Sequence, residues 1–414
     1  MLNKNQKIIF SNIFSLFILQ GTNYILPIVL LPYLVRVLGV EYFGLLAFST
    51  ATIGFFRGIV SYGFELSGTQ QISVYRDNKN KIIEIFSSIL IVKSILAFLS
   101  LLILLIIITF IEKFNMHWEI FLFTFFIIFG DVLFPIWFFQ GIEKMQVITY
   151  LRVGYKLLFT LLVIIFVQKK EDFLLVPLFD SMGAILAGII AIAIIAKKHN
   201  VSFTQPSFKS IIFQFKNSWH IFISNIAVYF YSSINIFVLG ILTNNTLTGY
   251  YAIAEKIYMA IRSLFGPIIQ ALFPFLAKKY KENKINYYHI VKKISIIYFI
   301  TLLLLGILVF YLSDILVELL AGQIIIESVN VLKILSFSIV FAIGSFFTSF
   351  LIIKGEGKIL SKITFISMFI NIIFVYPSIY LFGIYGLATQ FVMIQIFQAV
   401  LQLKYNKEIF IKER

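Results

Sequence analysis

Cysteine is absent from the 414 residues, which excludes disulfides, thiolate metal sites and thiol redox chemistry. Histidine is scarce. His117, His199, His220 and His289 are scattered, and no HExxH or similar spacing marks a zinc site. Charged residues make up only 13% of the chain, too few to clothe a soluble domain of this length. No polar segment is long enough to fold on its own, and none of the usual catalytic constellations occurs. Whatever the chain does must therefore be done by its apolar stretches.

Those stretches dominate. Hydrophobic residues make up 60% of the chain and the mean hydropathy is +0.97. A spanning helix needs about 20 mostly apolar residues. Twelve candidate spans follow one another at roughly 10–35, 43–74, 82–110, 118–140, 147–167, 173–196, 211–242, 248–277, 289–312, 329–353, 359–381 and 385–404. They are too long and continuous for the short alternating strands of an outer-membrane barrel. The fold class expected is an all-α polytopic membrane protein. The first run holds Pro27 and Pro32 and is followed by no small-residue cleavage site, so it reads as a spanning helix and not as a cleaved signal.

The net charge of +15 would suggest nucleic acid in a soluble protein. Here the cations sort by loop. If the N-terminus is cytoplasmic, 23 of the 34 Lys and Arg residues fall on that side, against Arg36, Lys113, Lys169 and Lys170 opposite. Such a bias sets orientation. It places both termini in the cytoplasm and removes the need for a nucleic-acid partner.

Sliding the chain against itself by 205 residues superposes Gly44 on Gly249, Ala47 on Ala252, Arg57 on Arg262 and Asn12 on Asn217. The offset carries the second span onto the eighth, in the same orientation. This predicts a parallel repeat of six helices plus six, with lobes at 1–200 and 201–414 and a site where the repeats meet.

Charge at membrane depth costs roughly 2.5–3.5 kcal/mol on insertion scales and marks cavities or paired groups. Eleven such residues fall in the spans: the cations Arg57, Lys93, Arg152, Lys156, Lys256, Arg262 and Lys333, and the anions Glu65, Asp131, Asp180 and Glu255. The excess of cations points to an anionic substrate. Arg57 and Arg262 are candidates to clamp a phosphate or diphosphate through their planar forks. Lys93 lies deep in the third span, and Arg152 and Lys156, four residues apart, share one helix face. Asp131 reads either as a partner for Arg152 or Lys156 or as an ion-coupling carboxylate, and Glu65 either as a partner for a lysine or as a coupling site. Asp180 and Glu255 lie toward the outer side in the same two roles. Tyr229, Tyr231, Tyr250 and Tyr251 are candidates to stack on sugar rings. Pro27, Pro32, Pro135, Pro267, Pro274 and Pro377 mark candidate kinks.

The run Pro135-Ile136-Trp137-Phe138-Phe139-Gln140-Gly141-Ile142-Glu143-Lys144-Met145 resembles the P-x-W-F-F-Q-G-x-E-x-M pattern of the Wzx-type polysaccharide flippases, relatives of the MATE exporters and the lipid II flippase. Leu38-Gly39 with Tyr42-Phe43-Gly44, and Gly249-Tyr250-Tyr251 with Ala254-Glu255-Lys256 and Phe273-Pro274, resemble its turns in the two halves. The resemblance implies a two-lobed MATE-like bundle in a bacterial inner membrane that alternates access to a central cavity. Its cargo would be an undecaprenyl-diphosphate-linked glycan of O-antigen or capsule, moved from the cytoplasmic to the periplasmic leaflet. Membrane lipids, a polysaccharide polymerase and a chain-length regulator are the partners implied. No cofactor is implied beyond proton or sodium coupling. The stretch Tyr231-Ser232-Ser233-Ile234-Asn235 lacks the acidic residue that the family often carries there. A MATE-like drug or cation antiporter, a membrane polysaccharide polymerase and a channel remain the alternatives.

Overall fold

Apolar sequence in a bilayer must satisfy its own backbone, and helices do so within one segment. The structure, a computed structural model, describes residues 4–407, apart from the side chains of residues 4–14, 16, 17, 24, 224, 227, 228, 231, 232, 267 and 271. The chain is almost entirely helical. The helices are α1 (Lys4–Ser61), α2 (Phe64–Val74), α3 (Lys79–Phe110), α4 (Glu112–Asn115), α5 (Trp118–Phe125), α6 (Ile127–Leu133), α7 (Ile136–Gly141) and α8 (Met145–Phe166). They continue as α9 (Leu175–His199), α10 (Phe208–Leu242), α11 (Asn245–Ser263), α12 (Gly266–Glu282), α13 (Lys284–Ala321), α14 (Ile326–Phe341), α15 (Ile343–Ile353) and α16 (Gly357–Tyr405). Among the described residues, nine segments are long and apolar enough to cross a membrane.

Breaks occur where the backbone demands them. At about 1.5 Å per residue, the 58 residues of α1 would measure about 87 Å, against a hydrocarbon core of about 30 Å. A single non-helical residue, Gly39 (φ 78°, ψ 168°), interrupts them. Gly383 (φ 58°, ψ −141°) interrupts α16 in the same way. Positive φ at Tyr62 (45°) and Gly63 (77°) ends α1 and restarts the chain as α2, so the expected span 43–74 is broken in its C-terminal half. Pro135 separates α6 from α7, and Pro267 follows the break between α11 and α12. At Pro27, Pro32, Pro274 and Pro377 the helix runs on without a break.

Packing divides the chain into two compact units. One comprises Met1–Tyr33, Val37–Tyr42 and Leu46–Ser233; the other comprises Leu34–Arg36, Phe43–Leu45 and Ile234–Arg414. In the first, α6 and α8 pack on α9, and α2 packs on α7. Trp137, Phe138, Phe139, Phe86 and Phe64 fill the core between α2, α3 and α7, each nearly free of solvent exposure. In the second, α14 lies against α11, α13 and α16. Arg36 donates from Nη2 to the Leu319 carbonyl at 3.1 Å, one of the carbonyls left open at the end of α13.

Gly44 and Gly249, paired by the sequence repeat, are in contact. A Cβ at Gly44 would lie 1.9 Å from the Asn245 carbonyl oxygen and 2.5 Å from the Gly249 nitrogen. Small residues permit such backbone approach in membranes. Both obstacles are backbone, so no side chain can yield. Gly44→Ala is expected to cost on the order of 3 kcal/mol or more, seen as a large fall in melting temperature and membrane yield. A wild-type melting curve for this variant would mean that the crossing is looser than these distances state.

Candidate functional site

Two backbone breaks place charge in one cavity of the first unit. Arg57 lies one turn before the Tyr62–Gly63 break and Glu65 just beyond it. Asp131 ends α6 just before Pro135. Normally the Asp131 carbonyl would accept the N–H of residue 135, but proline has none. Lys93 on α3 takes that place, its Nζ donating to the Asp131 carbonyl at 2.6 Å. The Asp131 carboxylate turns the other way and accepts from Arg57 Nε at 2.8 Å. One residue thus ties α1, α3 and α6 together.

The cavity measures about 170 Å³. Its polar wall carries Arg57, Lys93 and Arg152 with Glu65 and Asp131, that is, three basic and two acidic side chains. Trp137, Phe134 and Tyr229 supply aromatic faces. The Arg152 guanidinium sits 5.5 Å from the centre of the Phe134 ring. Among the described residues Arg152 and Glu65 make no ion pair, and the Arg57–Asp131 pair uses only Nε of the guanidinium. The arginine side chain is 40% exposed and lines the cavity.

The α10 helix forms one wall through an antiparallel seam. Gln71 and Gln214 exchange two amide hydrogen bonds at 2.9 Å. Ser67 and Ser218 hydroxyls meet at 2.7 Å. Tyr62 stacks on Phe222 at 4.4 Å between ring centres. A Cβ at Gly58 would touch the Tyr229 ring at 2.9 Å, and one at Gly54 would meet Ser233 Oγ at 2.7 Å. As numbers fall along α2 and α1 they rise along α10, and side chains at the seam are small or polar except at the aromatic stack.

The other residues singled out in the sequence lie elsewhere. Lys156 donates to Asn23 Oδ1 at 2.6 Å. Asp180 is on α9 and does not line the cavity. Asp131 pairs with Arg57, not with Arg152 or Lys156. In the second unit Arg262 donates from Nη1 to Tyr258 Oη at 3.3 Å. Glu255 is 9% exposed and makes no ion pair among the described residues. Lys333 pairs with Asp314 at 3.1 Å. Tyr251 is buried in the second unit, and the Tyr231 side chain lies outside the described residues. Trp137 and Phe134 in the wall are not anticipated by the sequence pattern. The available signal was Pro135 itself, because the break it forces brings its neighbours to the cavity.

Residues 9–280 match the family described as polysaccharide biosynthesis proteins. A protein of Escherichia coli (strain K12), whose name describes it as a candidate O-antigen transporter, is 32% identical over 293 residues, 70% of either chain. A protein of the same description from Shigella dysenteriae is 27% identical over 402 residues, 96% of this chain and 99% of its own. The fold is similar to that of the lipid II flippase MurJ in an inward closed conformation (TM-score 0.73, 14% identity, 96% of this chain and 87% of that one). It is also similar to that of a multidrug resistance MATE family transporter of the MOP superfamily in an inward-facing conformation (TM-score 0.71, 15% identity, 95% and 96%). With the family matched over most of its length and helices that cross a membrane many times, the chain belongs to the polysaccharide biosynthesis protein family, as a multi-pass, all-α membrane protein.

Proposed function

We propose that the protein is a flippase that carries an undecaprenyl-diphosphate-linked oligosaccharide, a repeat unit of O-antigen or capsule, across the bacterial inner membrane. It is not an enzyme: no bond is made or broken, and the task is to move a polar headgroup through hydrocarbon without stranding its hydrogen bonds. The observation that carries the reading is the first-unit cavity, where Arg57 and Arg152 present guanidinium groups at membrane depth without being fully consumed by acids. Phosphate oxygens match those forks. Relatives named as O-antigen transporters support the cargo class.

In this reading the diphosphate binds Arg57 and Arg152, and Lys156 adds positive potential. Arg262, the repeat counterpart of Arg57, stands as a separate substrate-binding candidate of the second unit. Tyr229 offers a ring to a sugar. The cavity takes the headgroup from the cytoplasmic leaflet and releases it to the periplasmic one by alternating access, with both termini cytoplasmic and twelve crossings in two six-helix lobes, 1–200 and 201–414. Since Asp131 is held by Arg57, proton or sodium coupling falls to Glu255, with Glu65 and Asp180 as the remaining carboxylates. A polymerase and a chain-length regulator act on the delivered units.

The test is deletion of the gene, followed by analysis of surface polysaccharide and lipid-linked oligosaccharides. Loss of display with complete, unpolymerised units on the cytoplasmic leaflet is expected. Unpolymerised units on the periplasmic leaflet would make the protein a polymerase, and unchanged polysaccharide would favour drug export.

A further inference from the structure

Resting on that reading of the cavity, we infer that Lys93 is a positioning residue and not a ligand of the cargo: its ammonium replaces the backbone N–H that Pro135 withholds, and so holds the Asp131 carboxylate against Arg57. Three observations carry this. Lys93 is only 8% exposed although it borders the cavity. Its Nζ lies 2.6 Å from the Asp131 carbonyl oxygen. That carbonyl is four residues before a proline, so the helix itself can offer no donor there. An unsatisfied carbonyl in a membrane interior is costly, and a charged donor forms the stronger kind of bond.

The consequence reaches Arg57. Asp131 is fixed at two points, by Lys93 on its backbone and by Arg57 Nε on its carboxylate. With the carboxylate anchored, Arg57 is oriented by its Nε and keeps its terminal nitrogens for an anion. Without Lys93, the end of α6 is free to shift, and the carboxylate can swing onto the arginine fork and occupy it. Lys93 therefore sets how much of Arg57 the cargo can use.

Four variants separate this role from direct binding: Lys93→Met, Lys93→Gln, Lys93→Arg and the double variant Lys93→Met/Pro135→Ala. Each is read by restored surface polysaccharide in the deletion strain, by affinity of the detergent-purified protein for farnesyl diphosphate, and by melting temperature. Methionine offers no donor, and both display and affinity are expected to fall roughly tenfold, the effect of one lost charge-assisted hydrogen bond. Glutamine is uncharged but can donate, so it keeps most of both. Replacing Pro135 by alanine restores a backbone N–H, so the double variant recovers relative to Lys93→Met alone. Equal loss in the Met and Gln variants, with Arg active and no recovery from Pro135→Ala, would show that charge is what counts and overturn the inference. Full activity of Lys93→Met would also overturn it. If Pro135→Ala disrupts folding, the contrast between Gln and Met decides. If the wild-type gene fails to restore polysaccharide, the flippase reading falls, and the order of melting temperatures (Met lowest, Gln and the double variant above it) still decides the role of Lys93.

Discussion

Arg57→Ala is expected to abolish polysaccharide display while leaving the protein in the membrane. Two losses combine. The diphosphate loses a charge-assisted contact worth roughly 1.5–3 kcal/mol, which is roughly 10- to 150-fold in affinity at 1.4 kcal/mol per tenfold. Asp131 also loses its partner, and an anion then stands in the cavity to repel the cargo. The pair is partly open to solvent, with side chains 40% and 29% exposed, so the cost to folding is well below the 3–5 kcal/mol of breaking a fully buried pair. Arg57→Ala/Asp131→Ala separates the two effects. It is expected to regain wild-type melting behaviour but not transport, because the repelling anion is gone and the phosphate contact is still missing. Arg57→Lys is expected to be intermediate, since one ammonium cannot hold Asp131 and a phosphate with separate edges as a guanidinium does. Normal display by Arg57→Ala would remove the cavity from the transport path.

Why Arg57 and Asp131 each stand out in the sequence but their pairing does not is a matter of range. Hydropathy is local, so the apolar segments and the all-helical class are legible from composition and length alone. The repeat offset singled out Gly44 and Gly249 as counterparts but did not predict that they touch; a Cβ at Gly44 would come within 1.9–2.5 Å of the facing backbone. Breaks are only half legible: Pro135 interrupts a helix, whereas Pro377 does not, because neighbouring helices decide whether the lost hydrogen bond matters. The breaks at Gly39 and Gly383 fall in the gaps between expected spans, 10–35 and 43–74 and then 359–381 and 385–404, so hydropathy does resolve them. Partnership is the least legible. Arg57 and Asp131 lie 74 positions apart, and nothing in either segment favours this pair over Asp131 with Arg152. The Lys93 contact was readable in principle from the four-residue step between Asp131 and Pro135, but only after knowing which helix faces that carbonyl.

A cross-link between Ser67→Cys and Ser218→Cys is expected to stop transport reversibly. The cavity measures about 170 Å³. A diphosphate bearing several sugars cannot fit, so under the proposed function the cavity must widen to receive it. The seam between α10 and the α1–α2 segment is built to part. Its polar links include a hydroxyl pair and a double amide bond, each hydrogen bond worth about 1 kcal/mol net and readily exchanged for water or sugar hydroxyls. No ion pair locks it among the described residues. The Ser67 and Ser218 hydroxyl oxygens are 2.7 Å apart, so cysteines there fall within disulfide reach. Because the chain has no cysteine of its own, any effect of oxidant must come from the introduced pair. Each single cysteine variant should support display with or without oxidant. The double variant should support it when reduced, lose at least about tenfold in flipping when oxidised, as expected if opening is obligatory, and recover with reductant. Wild-type flipping by a fully cross-linked protein would mean that the seam stays closed through the cycle and that the headgroup enters past a different wall of the cavity.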